Sequence, residues 1–260
     1  MGTADMQGAL WGAAARDWSE LNEPHCTPFY DAVLDAIEAG PGMQLLDAGC
    51  GAGLALLLAA KRGATVTGFD ASSGLLAVAR ERLPQAELHR GDLEQLPFAD
   101  DRFDAVTAFN SVQYAGDPIA ALRELRRVAR PGAPVVLLTW GRAEQCETRV
   151  ILAAIGGLLP PPPPGAGGPF ALSEPGRLEA LLSEAGLTPE RAVDVAQCFD
   201  FPDLETAVRA QLCSGPARRA IDHAGEAATR AALAEAYGPH RSPDGRYRQQ
   251  NTFRFLVSRA

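Results

Sequence analysis

An α/β fold, with a mostly parallel sheet covered by helices on both faces, is predicted by two features of the sequence. Strand and helix signals alternate through the middle of the chain, as they do in consecutive β/α units. Residues 45–70, LLDAGCGAGLALLLAAKRGATVTGFD, read as strand, glycine turn, helix and second strand, the unit from which a parallel pair is built.

The elements follow in order. Residues 11–38 supply helix before the sheet begins. The first strand is predicted at 44–47, where Leu45 and Leu46 are apolar, and a short helix follows from Leu54 to Lys61. Further strands are expected at 65–70, 86–90, 103–109 and 134–139. The helix at 119–129 places Ile119, Leu122, Leu125 and Val128 on one face and Arg123, Arg126 and Arg127 on a solvated one, and Pro131-Gly132 stops it. Beyond Trp140 the alternation loosens. A helix over 144–158 runs into the prolines of 160–164 and then Gly165, Gly167 and Gly168, read as a stiff surface loop bounding a cap in preference to a ligand for SH3-like partners. Helix resumes over 176–185 with Leu178, Leu181 and Leu182, a strand is expected at 192–199, alanine-rich helix at 204–237, and a last strand at 251–258. The strands total seven.

Composition narrows the class of partner. Asp and Glu number 32 against 24 Lys and Arg, a formal charge of −8, which argues against nucleic acid, whose binding is built from clustered cations. A small organic molecule fits better. Lys61 is the only lysine, and the arginine excess is read as coding bias without functional weight. The start, MGTADMQGALWG, has no basic segment followed by a long apolar one, and the apolar run 54–60 is too short to span a bilayer. A soluble, cytoplasmic protein with no membrane partner is expected. Cys26, Cys50, Cys146, Cys198 and Cys213 are scattered without a C-x-x-C pair, so neither a disulfide framework nor a metal site is expected.

The chemistry concentrates at the glycine turn. Gly49, Gly51 and Gly53 permit positive φ and bring backbone N–H groups toward a ligand, while Asp70 ends the second strand where a carboxylate grips a ribose diol. The dinucleotide pattern G-x-G-x-x-G requires glycine at position 54, which here is Leu54, whereas G-x-G-x-G is matched and Asp47 precedes it by two residues. With these motifs, residues 44–140 resemble a class I S-adenosylmethionine-dependent methyltransferase of the type 11 group, which includes quinone-biosynthesis C-methyltransferases. Gly91-Asp92-Leu93, the run LPFADDRFDAV at 96–106, Asn110-Ser111 and RVARPGAPV at 127–135 extend the resemblance. Ala133 stands where the group has a second glycine, and Gln113-Tyr114 where many relatives carry a His.

The resemblance implies a Rossmann-like, seven-stranded, mostly parallel sheet with a helical cap, binding S-adenosylmethionine and releasing S-adenosylhomocysteine. It implies that Asp47 accepts, directly or through water, from the methionine ammonium, that Asp92 accepts from the adenine amino group, and that Leu93 meets the ring. Gly49, Cys50, Gly51, Gly53, Asp70, Ala71 and Asn110 complete the expected cofactor site, with Trp18 from a lid that also includes Trp11, Phe29 and Tyr30. The expected organisation is a helical lid at 1–40, the cofactor core at 41–141, a cap insertion at 142–172, core again at 173–203, a second insertion at 204–248 and the last core strand at 249–260. Methyl transfer to a C-, O- or N-acceptor on a small, natural-product-like or quinone-like molecule is the leading reading.

No catalytic base is identified; His25, His223 and His240 are candidates, each with a surface role as the bland alternative, and His89 is read as structural. A protein of this fold that binds the cofactor without transferring a methyl group, or that catalyses another reaction such as a cyclisation, stays open. A nicotinamide-dependent oxidoreductase is disfavoured by Leu54. The oligomeric state is left open.

Overall fold

The computed structural model describes residues 2–161 and 168–260. Seven strands, β1 (Gln44–Ala48), β2 (Thr65–Asp70), β3 (Glu87–Arg90), β4 (Ala105–Phe109), β5 (Pro134–Trp140), β6 (Thr188–Phe201) and β7 (Tyr247–Arg259), form one sheet in the order β3-β2-β1-β4-β5-β7-β6. Strands β1 to β5 pair in parallel, and β7 lies antiparallel between β5 and β6. The order turns back between β1 and β4, so their C-terminal ends flank the crevice where open α/β sheets bind ligands.

Helices cover both faces. On one, α3 (Glu23–Ala36) and α4 (Leu54–Lys61) bury Phe29, Val33, Leu34 and Leu56 against Leu45, Val136 and Phe255. On the other, α6 (Pro118–Val128) and α8 (Arg177–Glu184) bury Leu122, Leu125, Leu178 and Leu182 against Val106, Val135 and Phe103. The α6 helix begins where Asp117 accepts from Ile119 N and Ala120 N, and its apolar stripe is the one visible in the sequence. The helix α5 (Ser73–Arg82) starts on Ser72, whose hydroxyl accepts from Leu75 N at 3.2 Å.

The sequence-based expectation of helix over 11–38 is met by a broken run. It comprises α1 (Ala4–Gly12), α2 (Ala15–Asp17), a π-helical turn Trp18–Asn22 and then α3. Residues 144–158 split into a 3₁₀ turn, Ala143–Gln145, and α7 (Arg149–Gly156). Of the proline and glycine loop, residues 162–167 lie outside the described residues.

Strands β6 and β7 are longer than expected. Pro189 and the charged Glu190 and Arg191 masked the start of β6, but this is an edge strand, and the register shifts between Pro189 and Arg191, where a residue lacking an N–H is tolerated. Because β5 pairs with β7 only from Phe253 onward, the rest of the β6–β7 pair projects beyond the sheet as a two-stranded ribbon. Between its strands the chain forms α9 (Leu204–Leu212), α10 (Gly215–Ala224) and α11 (Glu226–Tyr237). With α7 they bury Ile151, Ile155, Val208, Leu233 and Tyr237 in an apolar cluster that includes Phe201 and Tyr247 of the ribbon. Residues before α7 clip onto β7: Thr148 N donates to Asn251 Oδ1 at 3.0 Å and Glu147 N to Gln250 O at 2.9 Å. Among the described residues no helix is long and apolar enough to cross a membrane.

The packing of α6 sets a contrast. Leu122→Ala empties a fully buried position and is expected to cost about 2–5 kcal/mol, whereas Arg123→Ala, one residue on and exposed, changes stability by no more than about 0.5 kcal/mol. Urea unfolding midpoints of the two variants check this.

Candidate cofactor and substrate cavity

At the C-terminal ends of β1 and β4 the backbone must turn within contact distance of its neighbour. A Cβ on Gly49 would lie 2.2 Å from Cβ of Ser111, and Gly49 has φ +87°, so both space and conformation exclude a side chain. Ser111 Oγ donates to Ala48 O at 2.7 Å, which ties the two strand ends together. Asn110 also has positive φ, 48°, with its N–H donating to Leu138 O and its Oδ1 accepting from Gln113 Nε2 at 3.2 Å.

The turn differs from expectation in one respect. Its N–H groups are spent largely within the protein: Gly49 N and Cys50 N donate to Phe69 O, Gly51 N donates to Asp70 Oδ2 at 2.8 Å, and Gly53 N donates to Cys50 O. What the turn offers a ligand is the absence of side chains, together with carboxylates. Asp70 accepts from Gly51 N and, through Oδ1, from Ser72 N at 2.7 Å. Burial pushes its pKa up against the pull of those N–H groups.

A cavity of about 230 Å³ opens from this turn. Of the residues singled out from the sequence, Gly49, Cys50, Gly51, Asp70, Ala71, Asp92, Leu93, Asn110 and Trp18 line it. Asp92 Oδ1 accepts from Glu94 N at 3.0 Å, and a Cβ on Gly2 would lie 1.9 Å from Oδ2, so the start of the chain lies directly against this carboxylate. Two of the singled-out residues are not on the wall. Gly53 is the N-cap of α4, with φ +84° and a close approach to Ala79. Asp47 is buried beneath the turn and its Oδ1 accepts from Thr107 Oγ1 at 2.9 Å. Burial, with the charges of Asp70 and Glu23 added, outweighs that hydrogen bond and pushes Asp47 up to about 7.

The N-terminal segment closes one side. Trp11 meets Trp18 edge-on at 5.0 Å and Tyr114 at 5.5 Å, and both tryptophans pack on Ala52, Leu75 and Val78. The far wall is aromatic. Trp140 stacks on Phe253 at 4.5 Å, Phe253 meets Phe29 at 4.5 Å, and Tyr30 meets Phe109 at 4.7 Å, with Phe199 beside them. All six line the same cavity as the glycine turn.

None of the candidate histidines lines it. His25 lies behind the wall, its Nε2 3.3 Å from Asp200 O and its ring against Phe199 and Phe201, with a buried Nδ1 that has no partner. His223 is exposed on α10, and His240 ends the 3₁₀ turn Gly238–His240. His89 pairs with Glu87 at 2.7 Å.

The sequence reading missed Glu23 and Arg82. Glu23 is 2 % exposed, lines the cavity beside Gly51, and receives Arg82 Nη1, which also donates to Ala52 O at 2.9 Å. The two are 59 positions apart, and no local pattern joins them. The described lining holds the carboxylates Glu23, Asp70 and Asp92 and no Lys, Arg or His.

With this geometry established, known proteins can be compared. A family described as "Methyltransferase domain" matches residues 46–137, from β1 into β5. The chain is 39% identical over 128 residues to the demethylmenaquinone methyltransferase of Renibacterium salmoninarum, a match covering 47% of this chain and 54% of that protein. The chain spans about half the length of the curated relatives it matches. Among solved structures, the [4+2]-cyclase SpnF shares the fold at TM-score 0.58 and 22% identity, covering 89% of this chain and 80% of that one. A SAM-dependent methyltransferase from Aquifex aeolicus does so at 0.53 and 16%, covering 89% of each. Residues 46–137, the core of this Rossmann-like sheet, are thus similar to a methyltransferase domain.

Proposed function

We propose that the chain transfers the methyl group of S-adenosylmethionine to a small organic acceptor and releases S-adenosylhomocysteine. One observation carries this reading: a single cavity joins the carboxylate-ringed glycine turn to an aromatic wall, so a donor and an apolar acceptor can lie end to end. The residues fit the donor. A cofactor bearing phosphates needs free N–H groups or cations, whereas the described lining has carboxylates and a turn whose donors are spent.

In this reading Asp70 holds the ribose diol, Asp92 the adenine amino group, and Ala71 and Leu93 the ring. Gly49, Cys50, Gly51 and Asn110 form the wall at the methionine end, Gly53 shapes the turn, and Asp47 attracts the ammonium, directly or through water. When bound, the cofactor supplies an electrophilic sulfonium methyl. The protein's part is to align the acceptor and exclude water. Phe29, Tyr30, Phe109, Trp140, Phe199 and Phe253 favour a flat apolar acceptor, and the name of the Renibacterium relative suggests one that is quinone-like. Burial raises the hydroxyls of Tyr30 and, to about 12, Tyr114, so at neutral pH both are neutral phenols and neither is a base. Residues 1–40 serve as the lid, 41–141 and 173–203 with 249–260 as the core, and 142–172 with 204–248 as the cap. The reaction is cytoplasmic and needs neither nucleic acid nor membrane, in keeping with the charge of −8.

Calorimetry with S-adenosylmethionine and S-adenosylhomocysteine tests the cofactor, and no heat with either overturns it. Turnover of an accepted substrate must leave stoichiometric S-adenosylhomocysteine; product formation without it identifies a non-methylating enzyme of the same fold. Trp18→Ala is expected to raise the cofactor Kd about tenfold with the circular dichroism spectrum unchanged, because it removes an aromatic wall and no core residue.

A pH effect follows from Asp47. Its carboxyl is raised to about 7 in the free chain, and a cation beside it favours the ionised form, so binding expels a proton. Asp70 and Glu23, also raised by burial, act in the same direction. Affinity for S-adenosylmethionine should therefore strengthen about tenfold from about pH 6 to about pH 8, and Asp47→Asn should flatten that rise. Titrations in buffers of different ionisation enthalpy count the proton released.

A further inference from the structure

Glu23 occupies an unusual place. It opens α3, yet its carboxylate lies at the start of α4, where Oε1 is 3.9 Å from the position of a Cβ on Gly51. The N-terminus of α4 has Gly53 as its cap residue and no local side chain to satisfy it. Burial raises the Glu23 carboxyl, and Arg82 together with the N–H groups of Ala52 and Leu54 pulls against that rise, while those of Gly49, Cys50, Gly51 and Gly53 are bonded elsewhere. Arg82, at the end of α5, holds the other oxygen and donates to Ser19 O at 3.0 Å and Ala52 O at 2.9 Å. One guanidinium thereby fastens the N-terminal segment to the glycine turn.

The N-terminus of the helix after the first strand is where α/β folds receive a ligand's phosphate, because N–H groups and the helix dipole converge there. We infer that Glu23 sets the charge preference of this cofactor site: its carboxylate, clasped by Arg82, occupies the position of a dinucleotide's phosphate, so the site admits a cationic nucleoside and rejects a diphosphate. The chain carries its own anion. Leu54 agrees, since it stands where the dinucleotide pattern has the glycine that lets the helix pack closely on the strand. Asp70 and Glu23 lie close enough to raise Asp47, and all three raise the thiol of Cys50 in the turn, so the acidic groups converge on one space.

This inference rests on the glycine turn being a cofactor site, but it fails separately from the choice of cofactor, which the calorimetry with S-adenosylmethionine decides. Its own test uses inorganic phosphate and no cofactor. Glu23→Ala frees Arg82 and the start of α4 together, so 50 mM phosphate should raise the melting temperature of the variant by roughly 5 °C over chloride of equal ionic strength. The unaltered protein should show no such rise, nor should Glu23→Ala/Arg82→Met. If Glu23→Ala does not fold in chloride, its recovery on refolding in phosphate is compared with that in chloride, and selective recovery supports the inference. Equal behaviour in the two salts overturns it, as does a phosphate response of the same size in the unaltered protein.

Discussion

The close approach of the ends of β1 and β4 is the constraint on which the site depends. Gly49 lies where any Cβ would strike Ser111, and Ser111 in turn donates to Ala48 O, so the two strands end at one level and the chain leaves them in opposite directions. Had a side chain stood at position 49, the crevice would have had to widen or the turn to rise into it. Asp70 then fixes the turn from the neighbouring strand by accepting from Gly51 N, and Ser72 N completes its shell. The carboxylate that lines the cavity thus also shapes the backbone of the turn.

A second consequence comes from the length of β6 and β7. A strand pair that ended with the sheet would leave α9 to α11 as a loose excursion, but the ribbon carries Phe199 and Phe253 up to the cavity and Phe201 and Tyr247 into the apolar cluster of α7, α9, α10 and α11. Thr148 and Glu147 bind the other insertion to the same ribbon. Four of the wall's six aromatic residues, Phe109, Trp140, Phe199 and Phe253, therefore stand on strands of the sheet, whose hydrogen bonds set their position relative to the glycine turn, and α3 adds Phe29 and Tyr30.

Legibility followed the range of the interactions. The bounds of α4 and β2 were readable to the residue because apolar runs, glycines and the terminal Asp70 are all local signals. The stripe of α6 was equally plain. By contrast, Pro189 and its charged neighbours concealed the first four residues of β6, 188–191, since a sequence does not announce that a strand will lie at an edge. The pairing of Glu23 with Arg82 joins an N-terminal helix to the end of α5, and neither residue differs from a solvated charge until the chain is folded. The turn's N–H groups were expected to face a ligand, and only the register of β1 against β2 reveals that Phe69 O takes two of them.

Electrostatics unite these features. Burial drives Asp47, Asp70 and Glu23 toward their protonated forms, and among the described residues the only guanidinium bonded into this group is that of Arg82, which offsets Glu23 and not the others. Carboxylates held this way are costly in the free protein, because each is removed from water with incomplete compensation. That cost recurs at three neighbouring positions around one turn. It is relieved when positive charge enters the cavity. On the proposed reading, a ligand bringing a sulfonium and an ammonium is stabilised by the same groups that destabilise the empty site, and a diphosphate makes the strain worse. Selectivity, on that reading, resides in what the fold has already placed beneath the turn, before any acceptor reaches the aromatic wall.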